Sequence, residues 1–275
     1  MGSRRSFLRS WSSPLSLFVV VVALAASSAD GFKAPRVPCY FIFGDSLYDS
    51  GNNNNLNTSV KVNYSPYGID FPAGPTGRFS NGRTAADIIG ETLGFKDFIP
   101  PFASNPDDRQ ILVGVNYASG SAGILVESGK QGRMYELGAR KVALAGISNI
   151  GCTPSLIATV GTNGAPCVTS VNQLVAPFNI GLKSLISQLK SAHPDAKFGY
   201  LDTIRAGILA SQVFAAFKVK TTPCCQVSTV TGLCLPNTVP CSQRRSYLFW
   251  DAFHPTELAN RLGAPILFPV IQRIL

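Results

Sequence analysis

Three residue types able to do nucleophilic chemistry stand at the two ends of the chain. Ser46 lies in Gly44-Asp45-Ser46-Leu47-Tyr48-Asp49-Ser50-Gly51-Asn52-Asn53. Asp251 and His254 lie in Trp250-Asp251-Ala252-Phe253-His254-Pro255. A serine hydroxyl attacks a carbonyl carbon only when a base takes its proton. The chain has two histidines to choose from, His193 and His254. His193 precedes a proline at the end of a helical pattern and reads as a surface residue. His254 follows Asp251 by three positions, close enough for the carboxylate to fix the imidazole tautomer and stabilise its charged form. Asp-x-x-His before Pro255 and Thr256 is also ordinary helix-capping chemistry, so the pair gains meaning only beside Ser46.

The elements around these residues read as α/β. Tyr40-Phe41-Ile42-Phe43 is an apolar run that stops at Gly44, so Ser46 is expected at the C-terminal edge of a buried strand, where open α/β sheets place their sites. Further strands are expected at Val113 to Ala118, Lys141 to Ile147 and Lys197 to Leu201. Ser119 to Gly123 reads as a tight turn of small residues. Helices are expected from Thr84 to Gly94, over the last turns before Arg140, and from Val171 to Ala192. In the last of these, Leu174, Phe178, Leu182, Leu185 and Leu189 recur at helical spacing. A C-terminal helix from Thr256 to Leu275 should break near Gly263-Ala264-Pro265. The alternation argues for a parallel sheet with helices on both faces. A polar loop from Asn52 to Gly82, rich in Asn, Gly and Pro, is long enough to be functional.

The chain has 275 residues and a net charge of +9. Arg4, Arg5 and Arg9, the apolar stretch Leu15 to Ala26 and the small residues Ser27-Ser28-Ala29 form a secretory signal peptide over residues 1–29. The apolar stretch is too short to span a bilayer comfortably, so no stable membrane insertion is expected after its removal. Residues 30–275 are then a single, mildly basic domain with no Lys/Arg cluster of nucleic-acid type. Its cationic surface would attract an acidic polysaccharide matrix only weakly. In a secreted chain most of the seven cysteines should pair. Cys152 and Cys167 flank one loop, and Cys224, Cys225, Cys234 and Cys241 crowd another. Cys39 is left over, and the connectivity stays open. No Cys-x-x-Cys pair or nearby histidine supports a zinc site. Gly44-Asp45-Ser46 lacks a phosphate-binding glycine fingerprint. Asn57-Thr58-Ser59 and Asn63-Tyr64-Ser65 are N-glycosylation sequons.

The motifs together resemble the plant GDSL esterase/lipase family of the SGNH hydrolases. The resemblance rests on Phe43-Gly44-Asp45-Ser46 with Asp49, Gly51, Asn52 and Asn53, and on Val115-Asn116-Tyr117-Ala118-Ser119-Gly120. It continues through Tyr135-Glu136-Leu137-Gly138-Ala139-Arg140-Lys141 and Gly151-Cys152-Thr153-Pro154 to Phe249-Trp250-Asp251-Ala252-Phe253-His254-Pro255-Thr256. It implies a flavodoxin-like, three-layer α/β/α fold and a secreted, cell-wall or apoplastic hydrolase of carboxylic esters, lipid or polymer, working through an acyl-enzyme without metal or organic cofactor. It implies Ser46 as nucleophile, His254 as base, Asp251 as its orienter, and an oxyanion hole from the Ser46 and Gly120 backbone N–H groups.

The family's third block, Gly-x-Asn-Asp, has no counterpart. It belongs between Gly123 and Tyr135, where only eleven residues stand. Glu127-Ser128-Gly129 still resembles the segment after the second block, and Met134-Tyr135-Glu136 the helix after the third. The chain therefore reads as a shortened form with an internal deletion near residues 129–133, missing one central strand, an adjoining helix and one oxyanion donor. Such a donor is worth on the order of 10²–10³ in rate. The alternative reading is a catalytically impaired or non-catalytic variant that at most binds. If the strand at Val142 to Ile147 slid into the vacant place, Asn149 would end near the hole as a surrogate donor.

Overall fold

The computed structural model describes residues 34–123, 135, 138–204, 215 and 217–275. The signal peptide expected over residues 1–29, and the junction near 129–133, lie outside the described residues, as does most of the helix expected before Arg140.

Two strands, β1 (Lys141–Ala145) and β2 (Lys197–Leu201), pair in parallel, with Lys141 opposite Lys197 and Ala145 opposite Leu201. Parallel neighbours need a long crossover, here supplied by α3 (Pro154–Val160) and α4 (Thr169–Ala192). Side chains on β2 alternate between two helical layers. Phe198 and Tyr200 pack with Leu182, Ile186 and Leu189 of α4. Gly199 faces Val270 and Ile274 of α5 (Glu257–Ile274), where even a Cβ would sit 3.1 Å from Val270. Leu201 joins Ala264, Phe268 and Ile271 of α5 in the largest apolar cluster. Helix, sheet and helix thus make the three-layer α/β/α arrangement.

The same cluster takes in Ile88, Ile89 and Leu93 of α1 (Ala85–Leu93), together with Ile42 and Ala118. Helix α1 begins and ends where its caps require. Thr84 and Asp87 form a reciprocal capping box, and Gly94 closes the helix at φ +97°. Ile42 belongs to a second, separate piece of parallel pairing. Tyr40 and Ile42 donate their N–H groups to the carbonyls of Val113 and Val115, and Tyr117 and Ser119 donate to Ile42 and Gly44. That pairing brings the chain entering Ser46 alongside the chain entering Gly120.

Several expectations are corrected. The Tyr40–Phe43 run is half-buried rather than buried: Ile42 is inside, while Phe41 and Phe43 are 42% and 40% exposed. The strand expected from Val113 is reduced to an isolated bridge at Asn116. Helix α2 (Asp108–Val113) instead occupies the approach, because Asp107 and Gln110 form a capping box of their own. Strand β1 stops at Ala145 and contains no buried residue, because β2 is its only pairing partner among the described residues. The proposed slide of β1 towards the Ile42 segment is therefore not observed. Helix α4 is present, but its buried face carries Val175, Asn179 and Ile186, and Leu174 is 74% exposed. Helix α5 runs unbroken through Pro265 and Pro269.

Candidate active site

The turn after Gly44 is built by carboxylates accepting backbone N–H groups. Asp45 Oδ1 accepts the Leu47 N–H at 3.0 Å, and its carbonyl accepts those of Tyr48 and Asp49. Asp49 is fully buried. Its Oδ1 accepts the N–H groups of Gly51 (2.8 Å) and Asn52 (2.7 Å), and its Oδ2 accepts the Gly120 N–H (2.9 Å). Burial pushes this carboxyl above its ordinary range, opposed by those three N–H donors and the Arg78 charge. Three asparagines fasten the turn to the Asn116–Gly120 segment. The Asn52 amide donates to the carbonyls of Asn116 and Ala118, Asn53 to those of Val60 and Gly120, and Asn116 to that of Tyr48. Ser46 stands half-buried on this turn.

Asp251 and His254 sit in a tight hairpin ahead of α5. The Trp250 N–H donates to the His254 carbonyl at 2.7 Å, and Phe249 bridges Pro255. The Trp250 carbonyl accepts N–H groups from both Cys224 and Cys225. Ala252 donates its N–H to Gly232 and accepts that of Ser155. Thr256 then caps α5 by accepting the Ala259 N–H. Asp251 Oδ1 accepts the backbone N–H groups of Phe253 (2.9 Å) and His254 (2.8 Å), the local pattern that Asp-x-x-His permits.

These two pieces meet. His254 Nε2 lies 2.8 Å from Ser46 Oγ, and His254 Nδ1 lies 2.8 Å from each oxygen of Asp251. An ionised Asp251 only accepts, so the proton between them belongs on Nδ1, and Nε2 is left with its lone pair towards Ser46. The ring is held from the side by Phe79, 4.9 Å away centroid to centroid. A chain of this kind can take the serine proton as the hydroxyl attacks and return it to a leaving group.

The other expected site residues are placed as follows. Gly120 is beside the turn, but its N–H already points to Asp49. Among the described residues no protein acceptor takes the Ser46 N–H. Asn149 is exposed at the start of a short 3-10 turn, and its carbonyl accepts the Cys152 N–H. None of its hydrogen bonds is to Ser46, Gly120 or His254. Asn57 and Asn63 are both exposed in the long loop. The cysteines pair as Cys152–Cys167, Cys224–Cys241 and Cys225–Cys234, with Cys39 free. No cluster of metal-ligating side chains occurs among the described residues.

Two neighbours of the site make long-range bonds that the sequence did not signal. Tyr67, in the middle of the polar loop, donates its phenol to Asp251 Oδ2 at 2.6 Å. Asp49 was visible as part of a motif, and its position two before Gly51 and three before Asn52 is the usual pattern of a side chain closing its own turn. Its bond to Gly120, 71 residues on, has no local trace.

Comparison with known proteins places the chain in a family. Residues 125–265 match the GDSL-like Lipase/Acylhydrolase family, a span that includes Asp251 and His254. GDSL esterase/lipase At2g19050 of Arabidopsis thaliana is 36% identical over 324 aligned residues, covering 90% of this chain and 92% of the relative. GDSL esterase/lipase At1g29660 of the same plant is 36% identical over 344, covering 93% and 92%. Both aligned spans are longer than the 275 residues of this chain, so these relatives carry residues with no counterpart here. With coverage of that extent, and the family match across more than half its length, the chain belongs to the GDSL lipase/acylhydrolase family.

Proposed function

We propose that the protein is a secreted carboxylic-ester hydrolase in which Ser46 is the nucleophile, His254 the general base and Asp251 the group that orients it. The observation that carries this reading is the unbroken hydrogen-bonded chain from Ser46 Oγ through His254 to Asp251. Ser46 Oγ bonds to the ester carbonyl carbon as its proton passes to His254 Nε2. The tetrahedral intermediate collapses, the alkoxide leaves with the proton from Nε2, and an acyl-Ser46 ester remains. Water, deprotonated by the same nitrogen, then releases the acid and restores Ser46.

The developing oxyanion needs donors. The Ser46 N–H is unengaged among the described residues. The Gly120 N–H would serve only by sharing its bond to Asp49 or leaving it. The residues absent relative to the curated proteins are assigned to the junction near 129–133, where the family's asparagine donor would lie, so a slowed enzyme is expected rather than a fast one. Three disulfides, two exposed sequons and the leader-like N-terminus support secretion into an oxidising compartment. No helix among the described residues is long and apolar enough to cross a membrane.

Purified secreted protein is treated with a fluorophosphonate probe and with a short-chain p-nitrophenyl ester. Labelling and turnover that vanish in Ser46→Ala are the expected result. A folded protein that neither labels nor hydrolyses would establish the non-catalytic reading instead.

A further inference from the structure

Asp251 is held at both of its oxygens, and the second holder is not part of the serine chemistry. Oδ1 takes the two backbone N–H groups of its own turn. The intrinsic preference of a carboxylate's last torsion is broad, so its orientation is set by such partners at both oxygens. Oδ2 is fixed by the Tyr67 phenol at 2.6 Å, within the short range of a hydroxyl donating to a charged oxygen. Tyr67 is 1% exposed. Burial first, and then the Asp251 charge, push its phenol far above the ordinary range, so it remains a donor at any pH the protein meets.

Tyr67 is itself clamped. Its phenol oxygen accepts the Cys234 N–H at 3.0 Å, and the neighbouring Tyr64 phenol donates to the Cys234 carbonyl at 2.9 Å. Both polar groups of Cys234 are therefore tied to the Tyr64–Tyr67 segment, and Cys234 is closed by disulfide to Cys225. The Cys225 N–H in turn holds the Trp250 carbonyl, one residue before Asp251. On the loop side, Gly68 turns at φ +67°, and a Cβ there would collide with the Gly74 carbonyl, which sets the path of the chain leaving Tyr67. Tyr67 also stacks edge-on against Phe79, the ring that flanks His254.

We propose that Tyr67 is a positioning residue for the Ser46–His254–Asp251 chain: its hydroxyl pins Asp251 and couples it to the disulfide-closed Cys225–Cys234 loop. The inference rests on the catalytic reading of that chain. Tyr67 acts through Asp251 and touches neither Ser46 nor the substrate side of His254. Its loss should therefore lower kcat and leave KM unchanged.

The test is a double-mutant cycle on the full secreted protein, read by ester turnover and by the rate of fluorophosphonate labelling. Tyr67→Phe keeps the ring and removes the hydroxyl. In the parent background it should slow both readouts on the order of tenfold to a hundredfold, the scale of one hydrogen bond to a charged group. In an Asp251→Ala background the same change should have no further effect. Removal of the acceptor for the Cys234 N–H disturbs the fold equally in both backgrounds, so a merely structural role gives equal losses in the two and overturns the proposal. If the Phe variant is not recovered folded, Tyr67→Met removes the same hydroxyl with an apolar side chain in its place and goes through the same cycle. Parental rates in Tyr67→Phe, with labelling still dependent on Ser46, sink this inference alone. Labelling that persists in Ser46→Ala sinks the catalytic reading and this inference together.

Discussion

Asp49 offers the sharpest test of how the nucleophile turn is held. Its buried carboxylate accepts three backbone N–H groups, from Gly51, Asn52 and Gly120, at 2.7–2.9 Å. Asp49→Ala leaves all three donors without a partner. At about 1–3 kcal/mol for each buried group left unsatisfied, the loss is about 3–9 kcal/mol. That is a large share of the roughly 5–15 kcal/mol by which a domain is stable, so poor recovery of the variant is expected. Asp49→Asn separates the contributions. The amide oxygen can still serve Gly51 and Asn52, while the amide NH₂ then faces the Gly120 N–H, donor against donor. The expected cost is about 1–3 kcal/mol, read as a shift in the urea midpoint with unchanged slope. The pH dependence has a defined sign. Burial raises the folded-state pKa of Asp49 above 3.8, so the folded protein binds this proton more tightly than the unfolded chain. The contribution to stability is fully present below pH 3.8 and falls as pH rises through the folded-state value. The parent should therefore lose stability over that window relative to Asp49→Asn. An Asp49→Ala protein within 1 kcal/mol of the parent would refute the reasoning.

Two further perturbations contrast buried and exposed ion pairs. Arg78 and Asp87 are both almost wholly buried, joined by two bonds of 2.8 Å, with the Arg78 guanidinium over the Phe71 ring. Arg78→Met strands the Asp87 charge and should cost about 3–5 kcal/mol by urea unfolding. Arg244 pairs with Asp70 at a half-exposed position, and Arg244→Ala should change stability by less than about 1 kcal/mol. Desolvation raises Asp70, but the Arg244 and Asn81 hydrogen bonds and the Arg244 charge outweigh it and hold the carboxyl below 3.8. That contribution is present above pH 3.8 and fades as pH falls through the folded-state value. An acid titration of stability should therefore lose this small component in Arg244→Ala.

The parts of the fold legible in the sequence were those with local physical signals. Helix α1 announces itself by Thr84, Asp87 and Gly94, whose roles need nothing beyond one turn of chain. Strand β2 reads correctly because its alternation is short and is met by partners on both faces. Local capping also explains a misreading: Asp107 and Gln110 start a helix that runs through Val113, where a strand was expected to begin. The α4 face was read in part: Leu182 and Leu189 pack towards β2, whereas Leu174 and Leu185 keep the helical spacing but stay exposed. Pro265 was read as a breaker, yet it lies inside α5, where the helix is held by packing of Ala264, Phe268 and Ile271 against α1 and β2. In the site, Ser46, Asp251 and His254 were legible from type and spacing. Tyr67 was not, because a tyrosine 184 residues from its partner leaves no mark on its own neighbourhood.

The two pieces of the candidate site are fastened by different sets of hydrogen bonds. The turn bearing Ser46 is fastened by Asp49, Asn52, Asn53 and Asn116, all to backbone between Tyr48 and Gly120. The hairpin bearing Asp251 and His254 is fastened by Tyr67, Cys224, Cys225 and Gly232. Between these regions only the Ser155 N–H, on Ala252, reaches the hairpin by a hydrogen bond among the described residues. Strand β1 makes no hydrogen bond to either among the described residues, and only Ala145 packs on the cluster that holds Ile42 and Ala118. On the proposed reading, in which the residues the relatives carry in excess would stand near 129–133, the loss falls outside the hydrogen bonds that hold the Ser46–His254 contact among the described residues. Such a deletion would remove the family's third oxyanion donor and a strand able to pair with β1, whose only partner among the described residues is β2. The two losses make different demands on experiment. A missing donor lowers kcat on the order of 10²–10³ while labelling stays dependent on Ser46. An unpaired β1 edge lowers stability and favours association between chains. If the protein is slow but monomeric and folded, the donor is the loss that matters. If it aggregates while its folded fraction turns over ester at the rate of the full-length relatives, the edge is.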